Sequence, residues 1–370
     1  MIFKTAVLTG IATTLLAVVS AHPGERHDEH QLKRDADLRH AIADLHLSAV
    51  QKCSSSEDVQ ARRQRAMERR LETFKRLRSE RSLTDGPYLH RRDTAAFTKW
   101  SQVSHDQTSK LKFSSGTPAA SVFGSNTTCV FTPDNADGPY FVQGEQIRSN
   151  VTENLVGVPI HMEMQFIDVN TCRPAENLFI DIWSCNSTGA YSGVSAAGEG
   201  GLESTYLRGV QVTNKEGVVN FDSIFPGHYQ GRATHQHITA HAGAQVLPNG
   251  SYTGGHVAHL SQFFFDQALV NLVEATAPYK TNTIPKTPNA YDMFTGYSAT
   301  AAYDPFPDYI MLGGDIQHGL FMWMEVGLNT TYNLDYYAPP ASYVDETGTH
   351  DNPLFAYYMI LTGFPPPTHG

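Results

Sequence analysis

Short apolar runs between turn-forming residues are the feature that most constrains the fold of this chain. They recur from Cys129 onward, and each is bounded by Gly, Pro, Asn or Asp. The clearest runs cover residues 160–167, 178–183, 210–212, 218–221 and 262–265. Repeated short strands separated by turns are typical of a β-sandwich, and only residues 267–275 favour a helix among them. We therefore predict an all-β fold, a β-sandwich core of mixed short strands with long loops, preceded by an N-terminal α-helical segment.

The N-terminal quarter of the chain has a different charge from the rest. Residues 1–95 contain 17 of the 27 Lys and Arg residues but only 13 of the 37 Asp and Glu residues, a net charge of about +4, whereas residues 96–370 carry about −14. Within this segment Met67, Leu71, Phe74 and Leu77 recur at intervals of three and four, which predicts an amphipathic helix with a basic outer face. A solvated face or a removable pro-segment is favoured over contact with an anionic surface such as a cell-wall polymer.

The first 21 residues predict export. Lys4 precedes an apolar run over residues 6–19, and Val19-Ser20-Ala21 forms a small-residue cleavage site, the pattern of a secretory signal peptide. We divide the chain into a signal peptide (1–21), a basic helical segment open to processing (22–95), a linker (96–125) and a β-sandwich domain (126–370). We expect a secreted, extracellular protein with no membrane partner and, at a net charge of −10, no nucleic-acid partner. A homodimer is left open.

Export also permits disulfides and N-linked glycans. The four cysteines, Cys53, Cys129, Cys172 and Cys185, form an even set with three possible pairings. We favour Cys172–Cys185, which flank one extended run, and this leaves Cys53–Cys129 to tie the N-terminal segment to the main domain. Candidate glycosylation sequons lie at Asn126, Asn150, Asn186, Asn249 and Asn329.

The densest chemical signal combines two histidines with a tyrosine and an arginine. His235 and His237 lie on the same face of an extended segment because side chains alternate along a strand, and two adjacent imidazoles suit one metal ion. A turn at Pro226-Gly227 lets Tyr229 approach the same centre, and Arg232 places a cation near it. A His-x-His pair alone is weak evidence, since it is more typical of structural histidines on a surface strand. The added tyrosine and arginine make that interpretation less favourable and keep a metal site open.

Two longer motifs carry a resemblance to a known family. Asp-Ile-Trp at 181–183 precedes Gly-Ala-Tyr-Ser-Gly at 189–193, and Arg-Gly-Val-Gln-Val-Thr at 208–213 precedes the run from 225 to 237. Together they resemble the intradiol ring-cleavage dioxygenases, which include catechol and protocatechuate dioxygenases. The similarity covers roughly residues 125–345 and is greatest to the secreted fungal branch of the family.

The resemblance implies a non-haem Fe(3+) cofactor. A phenol has a pKa of about 10, so only a strongly Lewis-acidic ion holds two of them ionised at neutral pH, and two anionic oxygens favour the ferric state. Such enzymes cleave catechol-type ortho-diphenols between the two hydroxylated carbons with O2, which yields muconate-type diacids. The implied metal ligands are Tyr191, Tyr229, His235 and His237.

The resemblance also implies roles around the metal. Tyr229 is displaced by the substrate, Arg232 stabilises negative charge on the substrate ring, and Gln262 lies beside that arginine. Gly138, Pro139 and Tyr140 line the aromatic substrate pocket. Gln236 stands where Ile is more usual between the two histidines, and because it points to the opposite strand face, we expect ligation to survive.

Two other functions remain open from the sequence. The chain is also compatible with a non-catalytic secreted binding module, for example for a cell-wall glycan. Less favoured is a zinc hydrolase, in which His241, His256 and His259 would complete a site with three protein ligands and an open position.

Overall fold

The structure, a computed structural model, describes residues 57–83, 104–107, 123, 138–292, 294–295 and 304–355. Several predicted features lie outside these residues. They are the signal peptide, Cys53, Cys129 and the sequon at Asn126.

The described residues form two α-helices and eleven strands, together with four 3-10 helices of three residues each. In chain order the α-helices and strands are α1 (Glu57–Glu80), β1 (Val142–Gln143), β2 (Pro159–Asp168), β3 (Phe179–Trp183), β4 (Arg208–Val212), β5 (Val218–Ile224), β6 (His235–Val246), β7 (Tyr252–Phe264), α2 (Gln267–Glu274), β8 (Asp308–Met311), β9 (Leu320–Leu328), β10 (Ser342–Asp345) and β11 (Gly348–Asp351). The predicted helix at 267–275 and the predicted strands at 160–167 and 178–183 are confirmed in α2, β2 and β3.

Two four-stranded sheets pack around one apolar core. Sheet I has the order β5-β2-β9-β8, sheet II the order β4-β3-β6-β7, and a small third sheet has the order β1-β10-β11. In sheet I β2 and β9 are parallel, while the other neighbouring pairs of both large sheets are antiparallel. The core contains Met162 and Met322 from sheet I and Ile180 and Ile238 from sheet II. The predicted all-β sandwich preceded by a helix is confirmed.

Sheet II is buried on both of its faces, which explains the continuous apolar texture of β3. All five residues of β3 are buried. Because side chains alternate, Ile180 and Ile182 enter the core while Asp181 and Trp183 face the other way. The side of sheet II away from the core therefore also carries an ordered, water-poor environment, and the functional side chains lie there.

Helix α1 covers the side of sheet I that faces away from the core. Its Phe74 and Leu77 cluster with Trp323 of β9. Its Arg70 Nε lies 2.8 Å from the carboxylate of Glu163 on β2, and both side chains are buried.

The prediction of a solvated basic face is therefore wrong for part of α1. Arg62, Arg70 and Arg78 are buried, since sheet I presents Glu163 and Glu325 to two of them and the carbonyl oxygen of Leu312 to the third. Buried charges need such partners, so this face of the helix packs on the domain instead of facing water.

The predicted Cys172–Cys185 disulfide is wrong. Cys172 is disulfide-bonded, but its partner lies outside the described residues, and Cys185 is a buried free cysteine. Of the four cysteines, one of the two outside the described residues therefore pairs with Cys172, so the predicted Cys53–Cys129 disulfide is wrong as well. The Cys185 Sγ donates instead to the carbonyl oxygen of Gly227, at 3.4 Å.

Four predicted sequons lie within the described residues. Asn150 and Asn249 are exposed, whereas Asn186 and Asn329 are half-buried. In the part of the chain that the structure describes, no helix combines the length and apolar character that crossing a membrane requires.

Candidate metal centre

Strand β6 brings the two histidines of the His-x-His motif together. It pairs with β3 and β7, so that His237 lies between Trp183 and Gln262 in register. The Nε2 atoms of His235 and His237 are 3.0 Å apart. His235 Nδ1 donates to the carbonyl oxygen of Ala233 at 2.6 Å, which puts the ring hydrogen on Nδ1 and leaves the Nε2 lone pair directed at the centre.

The two tyrosines lie on neighbouring loops that contact each other at glycine residues. Tyr191 follows the loop after β3, and Tyr229 follows the turn after β5. The backbone N–H of Gly227 donates to the carbonyl oxygen of Asn186, at 3.2 Å. A β carbon at Gly189 would collide with the carbonyl oxygen of His228, and one at Gly227 with that of Asn186. Glycine at both positions therefore lets the two loops touch backbone to backbone.

Four side-chain atoms converge on one point. Tyr229 Oη lies 3.2 Å from His235 Nε2, and Tyr191 Oη lies 3.2 Å from His237 Nε2. Metal–nitrogen bonds in protein sites are about 2.0–2.1 Å long, so ligands at right or tetrahedral angles lie roughly 2.9–3.4 Å apart. The observed spacings fit this range. The four predicted ligands are thus arranged as a set that can hold one metal ion.

The tyrosines are needed to complete this set. Among the described residues, no group of three or more His, Cys, Asp and Glu side chains is placed to hold a metal ion. Both phenols are buried, and burial raises the pKa of Tyr191 and of Tyr229. A bound cation would reverse that effect, since a metal ion lowers the pKa of the group that it binds.

Arg232 lies next to the four converging atoms and is fully buried. Its Nη1 donates to Tyr229 Oη at 3.4 Å, and its Nη2 donates to the side-chain oxygen of Gln262. The structure thus places Gln262 beside Arg232, where the resemblance put it. Burial opposes the charged form, but the nearby carboxylate of Asp292 outweighs it and raises the pKa of Arg232, so the guanidinium remains a fixed positive charge.

Aromatic rings enclose the centre. The Tyr140 ring stacks on Tyr191 with centroids 4.6 Å apart, and Trp183 stacks on His237 at 4.7 Å with an angle of 8° between the planes. Gly138 and Pro139, which precede Tyr140, are buried. Stacking against these neighbours limits the freedom of the Tyr191 and His237 rings.

Two of the three histidines of the zinc alternative, His241 and His259, make structural contacts, whereas the buried Nε2 of His256 has no hydrogen-bond partner within the described part of the chain. His241 Nε2 lies 3.0 Å from the Thr239 hydroxyl, and burial lowers the pKa of His241 to about 4. His259 Nε2 lies 3.1 Å from the Ser261 hydroxyl. Among the described residues these histidines form no metal-binding group.

His228 connects the loop that carries Tyr229 to α2 and to the segment after it. Its Nδ1 lies 2.7 Å from Glu274 Oε1 on α2, and its Nε2 lies 2.8 Å from the carbonyl oxygen of Ile284. Gln236, the unusual residue between the two histidines, points to the opposite face as predicted, and its side chain donates to the carbonyl oxygen of Trp183 at 2.7 Å.

Three residues at the site went unrecognised in the sequence. Asp292 contacts Arg232, Phe294 packs under it, and Glu199 accepts a hydrogen bond from the backbone N–H of Tyr191. Asp292 and Phe294 lie in the long segment between α2 and β8, which lacks a regular pattern. No signal in the sequence links that segment to Arg232.

A family comparison bears on this site. Residues 136–260 match the family model described as "Dioxygenase". This range includes Arg232 and all four converging residues, whereas Gln262 and Asp292 lie beyond it. The match agrees with the resemblance to the ring-cleavage dioxygenases that the sequence motifs carry. Membership of a secreted fungal branch stays a prediction.

Several solved structures are similar. An intradiol ring-cleavage dioxygenase from Tetranychus urticae is 29% identical, with 55% of this chain and 97% of that chain covered and a TM-score of 0.46. The dioxygenase domain of a carbohydrate-binding fusion protein from Streptomyces sp. SirexAA-E is 22% identical over 54% of this chain and 98% of that chain, with a TM-score of 0.36. Catechol 1,2-dioxygenase from Acinetobacter sp. ADP1 is 17% identical over 54% and 63%, also with a TM-score of 0.36. No curated protein matches the chain significantly.

Proposed function

We propose that this protein is a non-haem Fe(III) intradiol dioxygenase that acts on small ortho-diphenols, a proposal supported by the match of residues 136–260 to the dioxygenase family model. The observation that carries the proposal is the series of short distances through two phenol oxygens and two imidazole nitrogens. Tyr229 Oη lies 3.2 Å from His235 Nε2, the two Nε2 atoms are 3.0 Å apart, and His237 Nε2 lies 3.2 Å from Tyr191 Oη. The reaction inserts both atoms of O2 and breaks the bond between the two hydroxylated carbons. Each of these carbons becomes a carboxylic acid carbon of a muconate-type diacid.

The donor set suits iron(III) better than a softer or less acidic ion. Two phenol oxygens are hard donors, and both have raised pKa values through burial, so ionising them demands a strongly Lewis-acidic cation. When bound, a ferric ion supplies this acidity and activates a coordinated catecholate toward O2. Tyr191, Tyr229, His235 and His237 would hold it.

The two phenols have different surroundings, which favours different roles. Arg232 Nη1 contacts Tyr229 Oη, at 3.4 Å, and not the oxygen of Tyr191. Tyr191 is fully buried and stacked on Tyr140. Tyr229 is 7% exposed, so it is the phenol that a substrate can reach more easily, and we assign it the role of proton acceptor while Tyr191 stays in place.

Arg232 contributes a fixed positive charge where negative charge accumulates on the substrate ring. Its position is preorganised, since each of its three nitrogens donates to a partner before substrate arrives. Removal of one well-placed donor of this kind costs on the order of 3 kcal/mol of transition-state stabilisation. The buried rings of Tyr140 and Trp183 favour a flat aromatic substrate over an aliphatic diol.

We further propose that the enzyme acts outside the cell. This rests on the signal peptide predicted at residues 1–21 and on the glycosylation sequons. Plant-derived catechols such as lignin fragments would be accessible substrates there.

Oxygen uptake with catechol tests the proposed function. The iron-loaded full chain should consume one O2 per catechol, with the diacid as the product by mass spectrometry and both oxygen atoms labelled from ¹⁸O2. Resorcinol, whose hydroxyls are not adjacent, is the matched control and should not react. Uptake without ring cleavage, or no uptake with any ortho-diphenol, would contradict the proposal.

A further inference from the structure

Asp292 is a buried carboxylate whose two oxygens each accept two N–H groups. Oδ2 accepts from Arg232 Nε at 2.8 Å and from the backbone of Ala233 at 2.7 Å. Oδ1 accepts from the backbones of Phe294 and Thr295, at 2.8 and 3.2 Å. A carboxylate offers about four lone-pair sites, so all of them are in use and the side chain has one available orientation.

These contacts determine which edge of the Arg232 guanidinium faces the metal centre. Asp292 occupies Nε and Gln262 occupies Nη2, so Nη1 is the group that points to Tyr229 Oη. The guanidinium group cannot rotate within its own plane without breaking the hydrogen bond from Nε to Asp292. Both side chains of the Arg232–Asp292 pair have no exposed surface, so water cannot replace either partner.

The same carboxylate also fixes the surface beneath the guanidinium. The Phe294 ring centroid lies 4.4 Å from Arg232 Cζ, within the range of a cation–π contact. Asp292 Oδ1 accepts a hydrogen bond from the Phe294 backbone, so the Asp292 side chain also positions the Phe294 ring. The same side chain thus binds the edge of the Arg232 guanidinium and orients the ring that packs on its face. The loop between α2 and β8 is thereby coupled to β6 at the ligand His235, two residues after Ala233.

We propose that Asp292 is a positioning residue that holds Arg232 in the orientation required for ring cleavage. The inference rests on the proposed function and extends the site to a residue outside the matched range 136–260. Asp292 itself contacts neither substrate nor metal; it acts through Arg232. A displacement of about 1 Å in a catalytic group lowers rates roughly 100-fold. An arginine side chain without the Asp292 contact would not be held to that positional precision.

The first test is Asp292→Asn in the iron-loaded full chain. We expect kcat for catechol to fall by about 10- to 100-fold, with KM within about threefold of wild type. The tyrosinate-to-iron absorption should be unchanged, because the four ligands remain. Anaerobic titration with catechol, followed in the same absorption, should give a Kd within about threefold of wild type, since Arg232 acts chiefly on charge that develops later.

A double-mutant cycle separates positioning from a merely structural role. Arg232→Gln alone should lower kcat strongly, and adding Asp292→Asn to it should lower kcat by less than about threefold further. If Asp292→Asn lowers kcat by the same factor in both backgrounds, it does not act through Arg232 and the inference is overturned. A loss of the iron absorption together with kcat would also overturn it. If Asp292→Asn does not fold, Asp292→Glu, which keeps the charge, decides the same cycle.

Asp304→Asn is the matched control. Asp304 is another buried aspartate in an ion pair, 2.7 Å from His105 Nε2, but it has no contact with the metal centre. This variant should lose stability while kcat remains at the wild-type value. If wild-type protein does not cleave catechol, the proposed function fails; if wild type is active and Asp292→Asn matches it, only the positioning role fails.

Discussion

The α carbon of Gly189 lies so close to the carbonyl oxygen of His228 that no β carbon fits between them. Gly189 also has a φ of +95°, which L side chains rarely adopt. This contact joins the loop that carries Tyr191 to the loop that carries Tyr229. The spacing of the two phenol oxygens is therefore set by backbone contact as well as by side-chain packing.

Gly189→Ala should separate the two loops and weaken metal binding. We expect a loss of about 2–4 kcal/mol in the free energy of unfolding and a reduced iron absorption, since the loop must move. Gly198→Ala is the control: Gly198 has a φ of +86° but no neighbour within 4 Å of an added β carbon, so it introduces the strain alone. Equal losses of stability and of iron in the two variants would show that the contact with His228 is unimportant.

Tyr191→Phe should remove one ligand and little else. The side chain is fully buried, and phenylalanine preserves the stacking on Tyr140. We expect the tyrosinate-to-iron absorption to be lost or strongly shifted in a folded protein. Tyr279→Phe, which deletes another buried hydroxyl that donates to the carbonyl oxygen of Phe225 at 2.7 Å, should leave the spectrum unchanged. An unaltered spectrum in Tyr191→Phe would remove this residue from the ligand set.

Glu163→Ala should strongly destabilise the protein by breaking the contact between α1 and sheet I. Glu163 is buried and paired with Arg69 and Arg70, and removal of one partner from a buried pair costs about 3–5 kcal/mol. Glu216→Ala is the matched control, since Glu216 pairs with Arg65 of the same helix at an exposed position and should cost less than about 1 kcal/mol. Urea unfolding measures both. Similar values would mean that α1 is not held by its buried charges.

We expect the protein to lose stability at alkaline pH because His105 loses its proton there. Burial alone would lower its pKa, but the carboxylates of Asp266 and Asp304 outweigh this and raise the pKa of His105 from 6.5 to about 10. Because the pKa of His105 is higher in the folded state than in the unfolded state, protonated His105 stabilises the folded protein fully below pH 6.5. This stabilisation is lost as the pH rises toward 10. The difference in unfolding free energy between wild type and His105→Gln should therefore shrink over this window, by about 1.4 kcal/mol per pH unit where the slope is full. A difference that does not change with pH would contradict this.

The sequence predicted those parts of the fold and site that depend on local pattern. The apolar runs of β2 and β3 match their burial, and strand alternation placed His235 and His237 on one face. The helix around Phe74 and Leu77 was predicted from its spacing. The family resemblance grouped Tyr191 and Tyr229 with the two histidines and Gln262 with Arg232. In the structure these side chains are in contact.

Features that depend on distant partners could not be predicted. The arginines of α1 look like a solvated face in the sequence because nothing identifies Glu163 and Glu325 as their buried partners. The predicted pairing of Cys172 with Cys185 relied on proximity along the chain, which does not determine which cysteines meet in the fold. Asp292 lies in an irregular loop 60 residues after Arg232, and only the fold brings the two side chains together.

The measurement that tests the central claim most directly is metal analysis of the purified full chain together with its visible spectrum, before and after anaerobic addition of catechol. The account predicts stoichiometric iron, a broad visible absorption from tyrosinate-to-iron charge transfer, and a change in that absorption when catechol binds. A folded protein that takes up no iron(III) when it is supplied, or that binds iron without any tyrosinate absorption, would contradict the assignment of Tyr191 and Tyr229 as ligands.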